Sequence, residues 1–178
     1  MSVRLLPRCL ALVLALSLVS CGYVPRPVAG LPAGESWGAL PLRKWLAEDR
    51  AEPVALSFCV PPECRPGLAV GVIRLMGREA RITETVLKDP ERLARALRSP
   101  GGKERKVRTL VSVERLGTGP HSGFAISLAP ADGRKEPVYG AALGRRAGEN
   151  LEVVLVIGEK ADAVRETALS VAAQELGS

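Results

Sequence analysis

Apolar and polar positions alternate along much of the chain. Val54, Leu56, Phe58 and Val60 fall on one side of an extended backbone, with Ala55, Ser57 and Cys59 on the other. That two-residue period is the mark of a strand with one buried face. A second strand-like run covers 68–75, and the short Cys-Pro segment between the two predicts a hairpin. Residues 107–116 read as a strand and lead through a Gly-rich loop to Phe124, Ile126 and Leu128, which alternate with Ala125, Ser127 and Ala129. Asp132-Gly133 marks a turn, 137–143 a weaker strand, and Gly148-Glu149-Asn150 another turn. The run 151–157 is dense in β-branched residues and predicts a strand in the middle of a sheet.

Helical spacing appears in two places. Asp89 is placed to cap a helix that starts at Pro90, where the missing N–H costs nothing, and Leu93 and Leu97 lie one turn apart. Ser99-Pro100-Gly101-Gly102 ends it. Over 162–176, Val164, Ala168, Val171 and Ala172 form an apolar stripe, with Asp162 and Glu166 near the N-terminal end. A stripe of Ala and Val lets a helix lie close against a sheet. Residues 40–47 are mixed and read as a short helix. The expected fold is α+β: an antiparallel sheet of five or six strands, with two or three helices packed mainly on one face, over residues 37–178.

The N-terminus has a different character. Arg4 and Arg8 precede an apolar stretch over 9–19 in which Ser17 is the one polar residue, the order of a secretory signal. The stretch is shorter than the roughly 20 apolar residues a spanning helix needs. Leu18-Val19-Ser20-Cys21 follows. This segment resembles the lipobox of bacterial lipoproteins. The resemblance covers residues 1–22 and is silent about the body of the chain. It implies that residues 1–20 are removed, that the Cys21 thiol carries a diacylglyceryl group, and that the new amino group is acylated. Two or three acyl chains, at about 0.8 kcal/mol per buried methylene, anchor a protein stably to a membrane without spanning it. Gly22 stands where Asp commonly signals retention in the inner membrane of Gram-negative bacteria, so the resemblance implies the outer membrane, facing the periplasm. The Pro- and Gly-rich residues 21–36 read as an extended, flexible tether. At about 3.1 Å per residue, such a tether lifts a domain tens of ångströms from the bilayer. Trp37 and Trp45 follow it and are expected to pack on their own domain.

Export changes the cysteine arithmetic. Of four cysteines, Cys9 leaves with the signal and Cys21 is taken by lipid, which leaves Cys59 and Cys64. In an oxidising compartment this pair is expected as a disulfide across Pro61-Pro62. The spacing is wider than the redox-active Cys-x-x-Cys. A metal site would need two further ligands, and His121 is the single histidine.

Composition narrows the remaining functions. Aromatics make up 3% of the chain, which disfavours a binding surface of stacked rings. The formal charge is +6; without Arg4 and Arg8 the mature chain has 23 basic and 19 acidic residues, a charge of +4. Arg95, Arg98, Lys103, Arg105, Lys106 and Arg108 form a basic stretch that could meet an anionic partner such as lipid phosphate or an acidic protein. The plainer reading is a solvated helix end, with cations where the helix dipole favours them. Gly117-Thr118-Gly119 lacks the third glycine of a dinucleotide loop, because Ser122 stands in its place. His121 and Ser122 are neighbours in an extended segment and point apart. No Gly-x-Ser-x-Gly elbow occurs. The expectation is a lipid-anchored envelope protein without a cofactor, a metal or a nucleic-acid partner, acting through protein or envelope contacts and not as an enzyme. The alternatives are a carrier for a small apolar ligand and an enzyme whose residues converge only in space.

Overall fold

Strand β1 (Ala51–Cys59) turns back through the Cys-Pro loop into β2 (Leu68–Leu75), pairing Cys59 with Leu68 and Ala51 with Leu75. Helices α1 (Gly77–Lys88) and α2 (Pro90–Arg98) follow. A four-stranded meander comes next: β3 (Thr109–Leu116), β4 (Ser122–Pro130), β5 (Val138–Ala147) and β6 (Asn150–Gly158). Helix α3 (Ala161–Glu175) is the last of the described elements. This computed structural model describes residues 26–31, 51–98, 109–117 and 119–177. The sheet is open, antiparallel throughout and ordered β1-β2-β6-β5-β4-β3, so the fold is α+β. The residues expected as a helix over 40–47 lie outside the described set.

β6 is interior, between β2 and β5, as its β-branched run implies. Its middle, from Val153 to Val156, is apolar on both faces because helices cover both, while Ile157 near its end is exposed. Register makes rows that run across the sheet. On one face Ala55, Val72, Val154 and Leu143 align, with Ser57, Val70, Val156 and Ala141 beside them. Helix α3 lies on these rows through Val164, Ala168, Val171 and Ala172. The absent side chain at Gly158 makes the closeness feasible, since a Cβ there would stand 2.9 Å from a methyl of Val164. On the other face Leu56, Ile73, Leu151, Val153, Ala142 and Phe124 form a second core with Ala80 and Leu87 of α1 and Leu93 of α2. Two helices therefore share one face and the third takes the opposite one.

The apolar spacing of the chain does not announce α1. Its buried residues, Ala80 and Leu87, are two turns apart, Ile82 is exposed, and no side chain caps its first turn. The packing partner supplies what the pattern lacks. Gly144 on β5 leaves a hollow into which Leu87 fits, and a Cβ at that position would lie 2.4 Å from Leu87 Cδ1. Most helical stability comes from such tertiary packing and not from propensity. Strand β5 also runs on to Ala147, past the 143 that alternation suggests, because its last three residues keep pairing with β6 up to the turn, Arg145 with Glu152 and Ala147 with Asn150.

Candidate functional site

Residues 26–31 are not a free tether. Arg26 forms a parallel bridge with Ala55, and its carbonyl accepts the Leu56 N–H at 3.1 Å. The segment thus lies along the outer edge of β1 and then folds over onto the α3 face. Val28 is buried in the α3-side core, and its N–H donates to the buried Ser57 hydroxyl at 3.0 Å. Gly30 adopts φ 77°, and a Cβ there would stand 2.8 Å from Gln174 Cγ. Both facts call for glycine. The Ser170 hydroxyl donates to the Gly30 carbonyl at 2.9 Å. This corrects the expectation of a flexible tether over residues 21–36 at the six residues 26–31. Proline and glycine are suited to a linker, but here they shape a strap whose backbone groups find partners on β1 and α3.

Glu175 is the hub of the strap. Its Oε1 accepts from Arg26 Nη1 at 2.7 Å and from the Ala29 N–H at 2.6 Å, and its Oε2 accepts from Arg26 Nη2. The Arg26 guanidinium holds the Glu175 carboxyl below the usual carboxylate range; burial opposes this and the Ala29 N–H adds to it. The C-terminal end of α3 beyond Glu175 is closed by two donors. Arg145 Nη1 donates to the Leu176 carbonyl, and His121 Nε2 lies 3.0 Å from the Gly177 carbonyl. The lone histidine therefore serves a helix terminus, and Ser122, which begins β4, takes no part in that contact. Gly117 and Gly119 sit in the connection between antiparallel β3 and β4 and open no helix.

The remaining residues singled out by the sequence are dispersed. Cys59 and Cys64 are bonded across a Cα–Cα distance of 5.9 Å, within the range a disulfide spans, and both are buried. Arg95 lies on α2, where its Nε donates to the Glu91 carbonyl at 3.3 Å. Arg98 ends that helix. Cys21, Trp37, Trp45, Lys103, Arg105, Lys106 and Arg108 lie outside the described residues.

A groove of about 500 Å³ at the disulfide end of the sheet opens between Val60, Leu68, Ala69, Val138, Ile157 and Lys160. Here the α1–α2 face is incompletely covered, and Ile157 is 57% exposed and Val138 49%. The groove is mainly apolar, with Glu136 and Glu159 at its margin. Among the described residues, no group of three His, Cys, Asp or Glu is disposed to hold a metal ion, and no helix is long and apolar enough to cross a membrane. No protein-family model matches the chain, and no curated protein matches it significantly.

Proposed function

We propose that this protein is a lipid-anchored component of a bacterial cell envelope, held by acyl chains on Cys21, that acts through contacts with an envelope protein partner. The observation that carries the reading is the continuous order of Arg4 and Arg8, the apolar run over 9–19, and Leu18-Val19-Ser20-Cys21. The thiol at Cys21 is the acceptor such chemistry requires, and the small Ser20 before it suits cleavage by a signal peptidase. The bonded Cys59–Cys64 pair accords with life outside the reducing cytosol. The expected location is the outer membrane, facing the periplasm, since Gly22 follows the lipidated cysteine.

Expression of the full chain beside its Cys21→Ser variant tests this. The parent should sediment with membranes and resist a high-pH wash, and the variant should not. Equal membrane retention of the two would refute the anchor. One observation favours a second reading, a carrier for a small apolar ligand: the apolar groove beside Val138 and Ile157. Native mass spectrometry of protein made by export separates the two, because a carrier brings extra mass that leaves on denaturation.

A further inference from the structure

Two polar side chains are buried among the described residues, Ser57 and Thr167, the latter 4% exposed. Ser57 is satisfied, since its hydroxyl accepts the Val28 N–H at 3.0 Å. The Thr167 hydroxyl makes no hydrogen bond among the described residues. A helical threonine can settle its hydroxyl on the carbonyl one turn back, as Thr85 does in α1 by donating to the Arg81 carbonyl at 2.9 Å. Thr167 does not. A buried hydroxyl without a partner costs stability, so it calls for a reason.

The reason offered by its surroundings is a pocket. A space of about 260 Å³ lies between Leu31 of the strap, Leu68 of β2 and the α3 residues Ala163, Glu166, Thr167 and Ser170. Leu31, Leu68 and Ala163 make its apolar wall. Its polar groups are short of donors. The Ser170 hydroxyl gives its hydrogen to the Gly30 carbonyl at 2.9 Å and keeps only lone pairs. The exposed Glu166 carboxylate can only accept, and it takes part in no ion pair or hydrogen bond among the described residues. The Thr167 hydroxyl can accept as readily as donate. A fitting ligand therefore brings hydrogen-bond donors, a positive charge and a short apolar body. A primary alkylammonium has all three, with three N–H donors on one nitrogen. An anionic head would meet lone pairs and the like charge of Glu166.

We propose that this pocket binds a small primary alkylammonium compound, whose nitrogen donates to Thr167, Ser170 and Glu166 and whose occupancy locks the strap onto α3. The lock follows from geometry. Leu31 forms one wall, and Ser170 is turned to the Gly30 carbonyl of the docked strap. A ligand held between them binds the docked form better and by linkage stabilises it. The site goes beyond the function proposed above and does not depend on the lipid anchor.

The test titrates the full chain, extracted from host membranes in a nonionic detergent, with n-butylammonium, n-butanol and butyrate. Nuclear magnetic resonance follows the Thr167 methyl and the Ser170 amide. Butylammonium should give a saturable shift and slow hydrogen exchange at the Val28 and Ala29 amides. Butanol should bind more weakly and butyrate should do neither. Thr167→Val, close in shape but without the hydroxyl, should weaken butylammonium about tenfold, the scale of a hydrogen bond to a charged group. It should leave the unliganded protein at least as stable in urea, because it removes a buried polar group that has no partner. Glu166→Gln should erase the preference for the ammonium over the alcohol. No saturable shift with butylammonium, an equal response to butyrate, or undiminished binding by Thr167→Val overturns the site. Saturable binding with unchanged exchange at Val28 and Ala29 overturns the lock.

Discussion

Arg26 and Glu175, 149 positions apart in the chain, meet as a two-point guanidinium–carboxylate pair. The pair is lopsided: the Glu175 side chain is 2% exposed and the Arg26 side chain 52%. The acid is thus the member whose partners cannot be replaced by water. Its other partner, the Ala29 N–H, belongs to the strap as well. Losing the carboxylate should release the strap from α3 before it disturbs the sheet.

Glu175→Gln should speed hydrogen exchange at the Val28 and Ala29 amides and cost about 1–2 kcal/mol in urea unfolding. That figure is the scale of hydrogen bonds to a charged group, discounted for the exposure of the arginine. Unchanged exchange at those amides would mean that the ion pair does not hold the strap.

Acid should act at the same place. The carboxyl of Glu175 is held below its ordinary value, chiefly by Arg26. That of Glu84 is lowered by its hydrogen bonds to Lys88 and Arg146. A carboxyl whose folded pKa is depressed contributes stability above its unfolded pKa, about 4.3, and loses it as pH falls through the folded value. Stability should hold level from neutral pH to about 5 and decline below about 4. The decline should be shallower in Glu175→Gln. A protein that gains stability on acidification would contradict these assignments.

Most of the sheet was legible because strands announce themselves by period. The alternation from Val54 and the run to Ile157 each placed a strand, and the second placed it in the interior. The stripe of Val164, Ala168, Val171 and Ala172 gave α3 and its close approach. Helix α1 was not legible, because the decisive feature is a missing side chain at Gly144, 57 positions from Leu87. The strap was misread for a related reason. Proline and glycine describe what a backbone can do locally, while Ser57, Ser170 and Glu175, which fix this one, are distant in sequence. The clamp on residues 26–31 therefore has no local signature.

The hollow at Gly144 offers a direct check on α1. Gly144→Val places a side chain against Leu87 and should destabilise the protein by about 1–3 kcal/mol, the usual cost of overpacking. The effect should concentrate in α1, where amide exchange should rise ahead of that in β6. Uniform loosening would argue that α1 is not seated on β5 as described.

The Cys59–Cys64 bond closes a small ring at one end of the sheet, and chain entropy assigns such a ring about 2 kcal/mol. The double variant Cys59→Ala/Cys64→Ala should unfold earlier in urea by that amount and keep its far-ultraviolet circular dichroism. Failure to fold would show that the loop organises the β1–β2 hairpin and does more than pin it.

The proposed membrane attachment depends on one atom, the Cys21 sulfur. Intact mass spectrometry of the full chain, expressed in a Gram-negative host and extracted from its membranes with detergent, reports on it directly. The expected species starts at Cys21, carries a diacylglyceryl group and an N-acyl chain, and is lighter by two hydrogens for the Cys59–Cys64 bond. A chain that still begins at Met1, or one cut elsewhere with Cys21 unmodified, would remove the anchor and with it the proposed place of this protein in the envelope.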